Sequence, residues 1–316
     1  MNTATPFHHV PVMVGEIVEL FGPVPPGVVV DATVGGGGHA SALLEAHPHL
    51  QVVGLDRDEA AVEAATHALQ RFGERATVRR ARFDQLTAML RETGHETVSG
   101  ALFDLGVSSP QLDDPGRGFS YRADAPLDMR MDRAQPTSAR DLVNSLPERE
   151  LATLLRDLGD ERFAARIARG IVAARPLRTT GDLVAVIDAA VPAPARRRQH
   201  GHPARRTFQA LRIAVNAELD VLRPGLDAAL DVLVPGGRCA VLAYHSGEDR
   251  IVKDVFRTAA TGGCVCPPGL PCVCGATPTV RELRRGARKP SPAEVAANPR
   301  AESARLRAVE KLEVVA

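Results

Sequence analysis

The chain has 316 residues, 44% hydrophobic and 24% charged, more apolar content than one compact core needs yet short for two ordinary independent domains, so one domain with a large insertion is expected. Its 39 Lys and Arg stand against 38 Asp and Glu, a net charge of +1, so the total points to no partner of either sign and local charge must decide. No apolar run approaches the roughly 18 residues of a membrane span, and the N-terminus has no basic-then-apolar leader; a soluble, cytoplasmic protein is expected.

Val28-Val29-Val30-Asp31-Ala32-Thr33-Val34 reads as a β-branched strand that stops at Gly35-Gly36-Gly37-Gly38, with a helical pattern from His39 to Ala46. Gln51 to Leu55 reads as a second strand closed by Asp56, and Glu59 to Arg71 as a helix with Ala61, Ala65 and Leu69 on one face. Two more units follow: Ala76 to Ala81 with a helix near Gln85 to Arg91, then Ser99 to Phe103 closed by Asp104. Strands alternating with helices imply a parallel sheet. From about Gln111 to Ala210 no strand pattern appears. The segment is turn-rich to Pro136, then helical over Leu151 to Leu158 and Phe163 to Ala174, as in an α-helical insertion. The sheet resumes at Arg238 to Tyr244 after the turn Pro235-Gly236-Gly237, and Arg305 to Leu312 is expected as a last edge strand. The expected boundaries are 1–112 and 211–316 for the two parts of the sheet domain and 113–210 for the insertion.

Gly35-x-Gly37-x-x-Ala40, with Asp56 at the end of the next strand, satisfies a dinucleotide-binding pattern and fits S-adenosylmethionine equally, because both cofactors carry a ribose whose hydroxyls a carboxylate can accept. Two residues favour S-adenosylmethionine. Asp31 lies in the first strand and Asp104 at the end of the fourth; negative charge there attracts a sulfonium and an ammonium but repels a pyrophosphate. A strand-ending Asp can also simply cap the next helix, and an NAD-dependent oxidoreductase or a non-enzymatic RNA-binding protein remains a rival reading at this point.

The sequence Asp104-Leu-Gly-Val-Ser-Ser-Pro-Gln-Leu-Asp-Asp114, continued by Arg117-Gly-Phe-Ser-Tyr-Arg-Ala-Asp124 and Pro126-Leu-Asp-Met-Arg-Met-Asp132, resembles the signature of the bacterial 16S rRNA cytosine-N4 methyltransferases, the RsmH or MraW family. His9 to Glu16, Gly159 to Ala164, His202 to Asn216 and His245 to Lys253 carry the resemblance through nearly the whole chain. It implies a Rossmann-like class I S-adenosylmethionine methyltransferase sheet, α/β in class, with an inserted α-helical domain. The implied activity is methylation of the N4 amine of a decoding-centre (P-site) cytosine of 16S rRNA, in the small ribosomal subunit. By position, the family's cofactor site falls on Gly37, Gly38, His39, Asp56, Phe83, Asp104 and Gln111. Tyr244 and Gly247 depart from the family's usual Phe and Leu.

A cytosine amine is a weak nucleophile whose protons need an oxygen acceptor near the methyl. Asp104, or main-chain carbonyls in Asp104 to Ser108, are the candidates by position, with Ser108, Ser109 and His245 as helpers. Basic charge gathers in Arg196-Arg197-Arg198 and in His200, His202, Arg205, Arg206 and Arg212, with no acid between 196 and 212; Arg205, Arg206 and Arg212 are the candidate phosphate contacts. Cys264-x-Cys266-x5-Cys272-x-Cys274 can wrap one tetrahedral zinc ion, although the C-x-C spacer is shorter than usual and redox-paired or plain reduced thiols fit the spacing as well.

Overall fold

The computed structural model describes residues 11–198, 201–267 and 273–313; His9, Val10, His200 and Cys272 of the sequence motifs lie outside them. The chain divides into two units, 1–106 with 219–316, and 107–218.

The first unit is built on a seven-stranded sheet. In chain order its strands are β1 (Gly27–Asp31), β2 (Leu50–Asp56), β3 (Ala76–Arg80), β4 (Val98–Asp104), β5 (Leu233–Ala243), β6 (Val280–Glu282) and β7 (Arg305–Lys311), and their spatial order is β3-β2-β1-β4-β5-β7-β6. Pairings from β3 through β5 are parallel, and β7 runs antiparallel to both β5 and β6. This is the class I, Rossmann-like α/β sheet that the sequence implied.

Successive strand residues face opposite sides, and the two sides have separate cores. Val28, Val30, Val53, Leu55, Ala101 and Phe103 pack with Leu86 and Leu90 of α4 (Leu86–Glu92), Leu222 and Leu226 of α12 (Glu218–Val232), and Val252 and Phe256 of α13 (Ser246–Thr261). Val29, Leu50, Val52 and Leu102 pack instead with Ile17 and Phe21 of α1 (Val14–Phe21), Leu43 and Leu44 of α2 (Gly38–Ala46), and Ala65 and Leu69 of α3 (Glu59–Leu69). Burial on both faces explains why β1 and β4 read as mostly apolar runs.

Two expectations are corrected here. Arg305 to Leu312 does form a strand, but β7 is not the edge, because the three-residue β6 pairs outside it. The turn at Pro235 to Gly237 does not precede β5 but bulges out of it, Val98 pairing with Leu233 and Gly100 with Arg238.

The second unit is helical around its own core: α5 (Ser109–Asp113), α6 (Ala139–Ser145), α7 (Glu148–Gly159), α8 (Ala164–Ala173), α9 (Thr180–Ala190), α10 (Ala193–Arg198) and α11 (Ala204–Asn216). Leu151 and Leu155 of α7, Ile167 and Ile171 of α8, Leu183 and Ile187 of α9, and Phe208 and Leu211 of α11 fill the centre. Gly159 lets α7 close on α11, since a Cβ there would lie 2.5 Å from the Arg206 carbonyl oxygen. The observed unit ends eight residues beyond the expected 210, because α11 is a single amphipathic helix whose apolar face belongs to this core as far as Val215.

The aperiodic stretch before α6 is held by polar side chains rather than by a ladder. Arg117, 8% exposed, donates to the carbonyls of Arg130 and Met131 at 3.0 and 3.1 Å. Asn216 accepts from the Met131 N–H and donates to the Met129 carbonyl, both at 2.8 Å. No helix among the described residues is long and apolar enough to cross a membrane.

Candidate active site

Strand order reverses at β1, which lies between β2 and β4, and the carboxyl ends of these strands open the crevice where such sheets bind ligands. All three strands end in aspartate: Asp31, Asp56 and Asp104.

Past Asp31 the chain stays tied to both neighbours, the Ala32 N–H donating to Leu102 O at 2.8 Å and the Val34 N–H to Leu55 O at 2.9 Å. It then turns through Gly35 and Gly37, whose φ values of 51° and 81° lie in the left-handed region that favours glycine. Gly37 caps α2, and a Cβ on Gly38 would lie 2.3 Å from Pro11. Asp56 braces this turn: Oδ2 accepts the Gly35 N–H at 3.0 Å and Oδ1 the Asp58 N–H at 2.9 Å. A carboxylate offers about four acceptor positions, so Asp56 retains capacity for a pair of ribose hydroxyls. Burial pushes its pKa up to about 6, against the pull of the two N–H donors.

His39, in the first turn of α2, is buried with Nε2 3.4 Å from Asp104 Oδ2, an ion-pair contact, and neither ring nitrogen has a hydrogen-bond partner. Burial opposes its proton, but the neighbouring Asp104 and the charge of Asp31 outweigh that and raise its pKa. Asp104 is also held by Tyr244, whose hydroxyl donates to Oδ1 at 2.7 Å, and by Thr33, whose Oγ1 accepts the Asp104 N–H at 2.6 Å. Burial and the adjacent Asp104 charge push the Tyr244 phenol far up, so Tyr244 stays the donor. Asp31 is 1% exposed, and burial raises it to about 7 against the opposing effects of His39 and the Thr33 N–H.

Phe83 follows β3 and packs edge-on against Phe103 at 5.7 Å and against Gly225 of α12, while remaining partly exposed. His245 follows β5 as the N-cap of α13. Its Nδ1 accepts the Gly247 N–H at 3.2 Å, and buried Glu248 returns to the Tyr244 and His245 N–H groups at 2.8 and 3.2 Å.

The crevice therefore combines a glycine turn, an acid that braces it, two further acids, and a buried histidine that contacts one of them and whose ring nitrogens lack hydrogen-bond partners. That donor set fits S-adenosylmethionine, which presents a ribose and two cationic groups.

Residues 6–312 match the family model described as the MraW methylase family. The chain belongs to that family. A protein named ribosomal RNA small subunit methyltransferase H from Symbiobacterium thermophilum is 52% identical over 312 residues, covering 97% of this chain and 98% of that one. One of the same name from Mycobacterium sp. (strain KMS) is 52% identical over 313 residues, covering 96% of this chain and 84% of its own. Among solved structures, a putative rRNA-methylase from Clostridium thermocellum aligns over 96% of this chain and 100% of its own, at 12% identity and a TM-score of 0.45. The chain is thus a methyltransferase, and the oxidoreductase and non-enzymatic readings are set aside.

Other sequence-predicted residues have local partners that composition did not disclose. Ser108 and Gln111 lie in the second unit and form a capping box on α5, Gln111 Oε1 accepting the Ser108 N–H at 3.1 Å. The Arg212 guanidinium forks onto Glu218 with two contacts of 2.8 Å, the pair 15% and 10% exposed. Arg206 donates to the Asp160 carbonyl at 3.1 Å, and Arg205 is exposed. Sequence reasoning missed Thr33 and the Tyr244–Asp104 bond. Only the departure from Phe at Tyr244 signalled the latter.

Proposed function

We propose that the protein methylates the N4 amine of a decoding-centre (P-site) cytosine of 16S rRNA in the small ribosomal subunit, acting in the cytoplasm with S-adenosylmethionine as donor. The observation that carries this reading is the convergence of Asp31, Asp56 and Asp104 on one glycine turn at the point where strand order reverses. Relatives at 52% identity bear the name of a small-subunit rRNA methyltransferase.

Gly37, Gly38 and His39 form the turn against the cofactor, Asp56 accepts the ribose hydroxyls, and Phe83 offers an apolar ring to the adenine. The family resemblance assigns Gln111, which belongs to the second unit, to the cofactor as well. When bound, S-adenosylmethionine supplies an electrophilic methyl. The chain's own task is to hold the amine in line and accept its proton. Asp104 is placed for this by Tyr244 and Thr33, which fix its carboxylate and main chain. His245, in the same unit, is its helper.

The cytosine has to be reached outside its stack, and RNA recognition is assigned to the helical insertion. Tyr121 stacks on exposed His202 with ring centroids 4.7 Å apart, and Arg205 follows three residues later on α11. A flat aromatic pair beside an exposed guanidinium suits a base and its phosphate. Radiolabelled methyl transfer to small subunits lacking the modification, followed by mapping of the labelled base, tests the proposal. Label on any position other than a cytosine N4 overturns it.

A further inference from the structure

Two large hydrophobic side chains stand fully in solvent among the described residues, Val265 at 87% and Val273 at 89% exposure, and each is the middle residue of a Cys-Val-Cys triplet. Side chains alternate in extended chain, so cysteines two apart share one side and the residue between them faces the other. The sulfurs do turn together. The Sγ atoms of Cys264, Cys266 and Cys274 all lie within 4.8 Å of one another, with Cys264 and Cys274 3.6 Å apart.

That separation is far beyond the roughly 2.05 Å of a disulfide. It is close to the S···S edge of about 3.8 Å that a tetrahedron of thiolates has when each metal–sulfur bond is about 2.3 Å. The Val273 N–H points at Cys266 Sγ at 3.5 Å, as outer-shell amides do toward ligating sulfur. The loop is anchored at both ends, by the left-handed Gly262 closing α13 against Thr277 and by the Thr279 N–H donating to Ala259 O at 2.9 Å. Beyond it the chain enters edge strand β6.

We propose that Cys264, Cys266 and Cys274 bind one soft divalent cation of the zinc class as thiolates, clamping the loop between α13 and β6. Cys272 lies outside the described residues. Binding displaces the thiol protons and involves no change of oxidation state; thiolate ligands select zinc over hard cations such as magnesium or calcium. Neither the cofactor crevice nor the methyl-transfer reading enters this argument, so the two stand or fall separately.

Full-length protein purified under reducing conditions without chelator should carry about one zinc per chain by elemental analysis. Reconstitution with cobalt(II) should give the thiolate-to-metal charge-transfer band and the visible spectrum of a tetrahedral site. Both signals should disappear in Cys264→Ser combined with Cys274→Ser, at unchanged far-ultraviolet circular dichroism. Failure of the unmodified, reduced protein to take up zinc or cobalt overturns the proposal whatever the variant does, as does a Cys264–Cys274 disulfide in the native protein.

Discussion

At Asp31 and Asp56, burial competes with charge. Both carboxyls sit above their ordinary value of 3.8, at about 7 and about 6, chiefly because burial disfavours the anion. The fold thus binds their protons more tightly than the unfolded chain does, and their contribution to stability is full below about pH 4 and lost as pH rises toward 7. A cationic ligand reverses the preference at Asp31. Affinity for S-adenosylmethionine should therefore rise between pH 5.5 and 7.5, by at most about tenfold per unit for each group that loses a proton, and level off above. S-adenosylhomocysteine, which lacks the sulfonium, should show a shallower profile. His39 titrates beside Asp31 and Asp104 and contributes in the same direction, so Asp31→Asn should remove most of the slope and His39→Asn the remainder. A flat calorimetric profile for the unmodified protein would place the cation elsewhere. Asp56→Ala should weaken cofactor binding by roughly 1.5–3 kcal/mol, as for a hydrogen bond to a charged group. It should also lower stability by about 1–3 kcal/mol, because the Gly35 and Asp58 N–H groups lose their acceptor. Sequence alone gave no reason to expect that second effect. Thermal melts of the ligand-free variant check it.

Among the elements, those with strong periodicity were legible and those held by single polar contacts were not. β1, β2 and β4 read correctly because burial on both faces leaves a mostly apolar run, and α7 and α8 because one apolar stripe faces the helical core. The three-residue β6 is too short to carry a pattern, and the stretch before α6 owes its shape to Arg117 and Asn216. The crevice was legible as three aspartates and a glycine turn, but the cross-links among them join residues as far apart as Asp104 and Tyr244, which no local pattern connects. The same distinction separates the arginines of α11 and gives a paired prediction. Exposed Arg205→Ala should reduce the salt dependence of ribosomal RNA binding by about one unit of slope, with melting unchanged. Partly buried Arg212→Ala should leave that slope alone and cost about 1–3 kcal/mol of stability, because Glu218 loses its bidentate partner. Filter binding across a salt series, run beside thermal melts, separates the two effects. Equal salt slopes for both variants would sink the assignment of Arg205.

At the scale of the whole molecule, the chain carries separate cores: two on the faces of the sheet, and one inside residues 107–218 that draws its apolar side chains from that segment alone. A ligand stabilises only what unfolds together with its site, by about 2.7 kcal/mol when present at 100 times its dissociation constant. The glycine turn, Asp31, Asp56, Phe83 and Asp104 all belong to the sheet unit. Saturating S-adenosylmethionine should then slow amide exchange in β1, β2 and β4 by up to about a hundredfold, the same free energy read as a rate. Core amides of α7, α8 and α9 should exchange at their ligand-free rates. Gln111 gives the pattern an internal control, since a cofactor contact from that residue would extend protection to α5 and stop short of α7. Hydrogen exchange followed by mass spectrometry, with and without cofactor, reads all of these segments in one experiment. Equal protection of α7 and α8 with β1 would mean that the two units unfold as one, and that the insertion's separate core does not make it an independent element of stability.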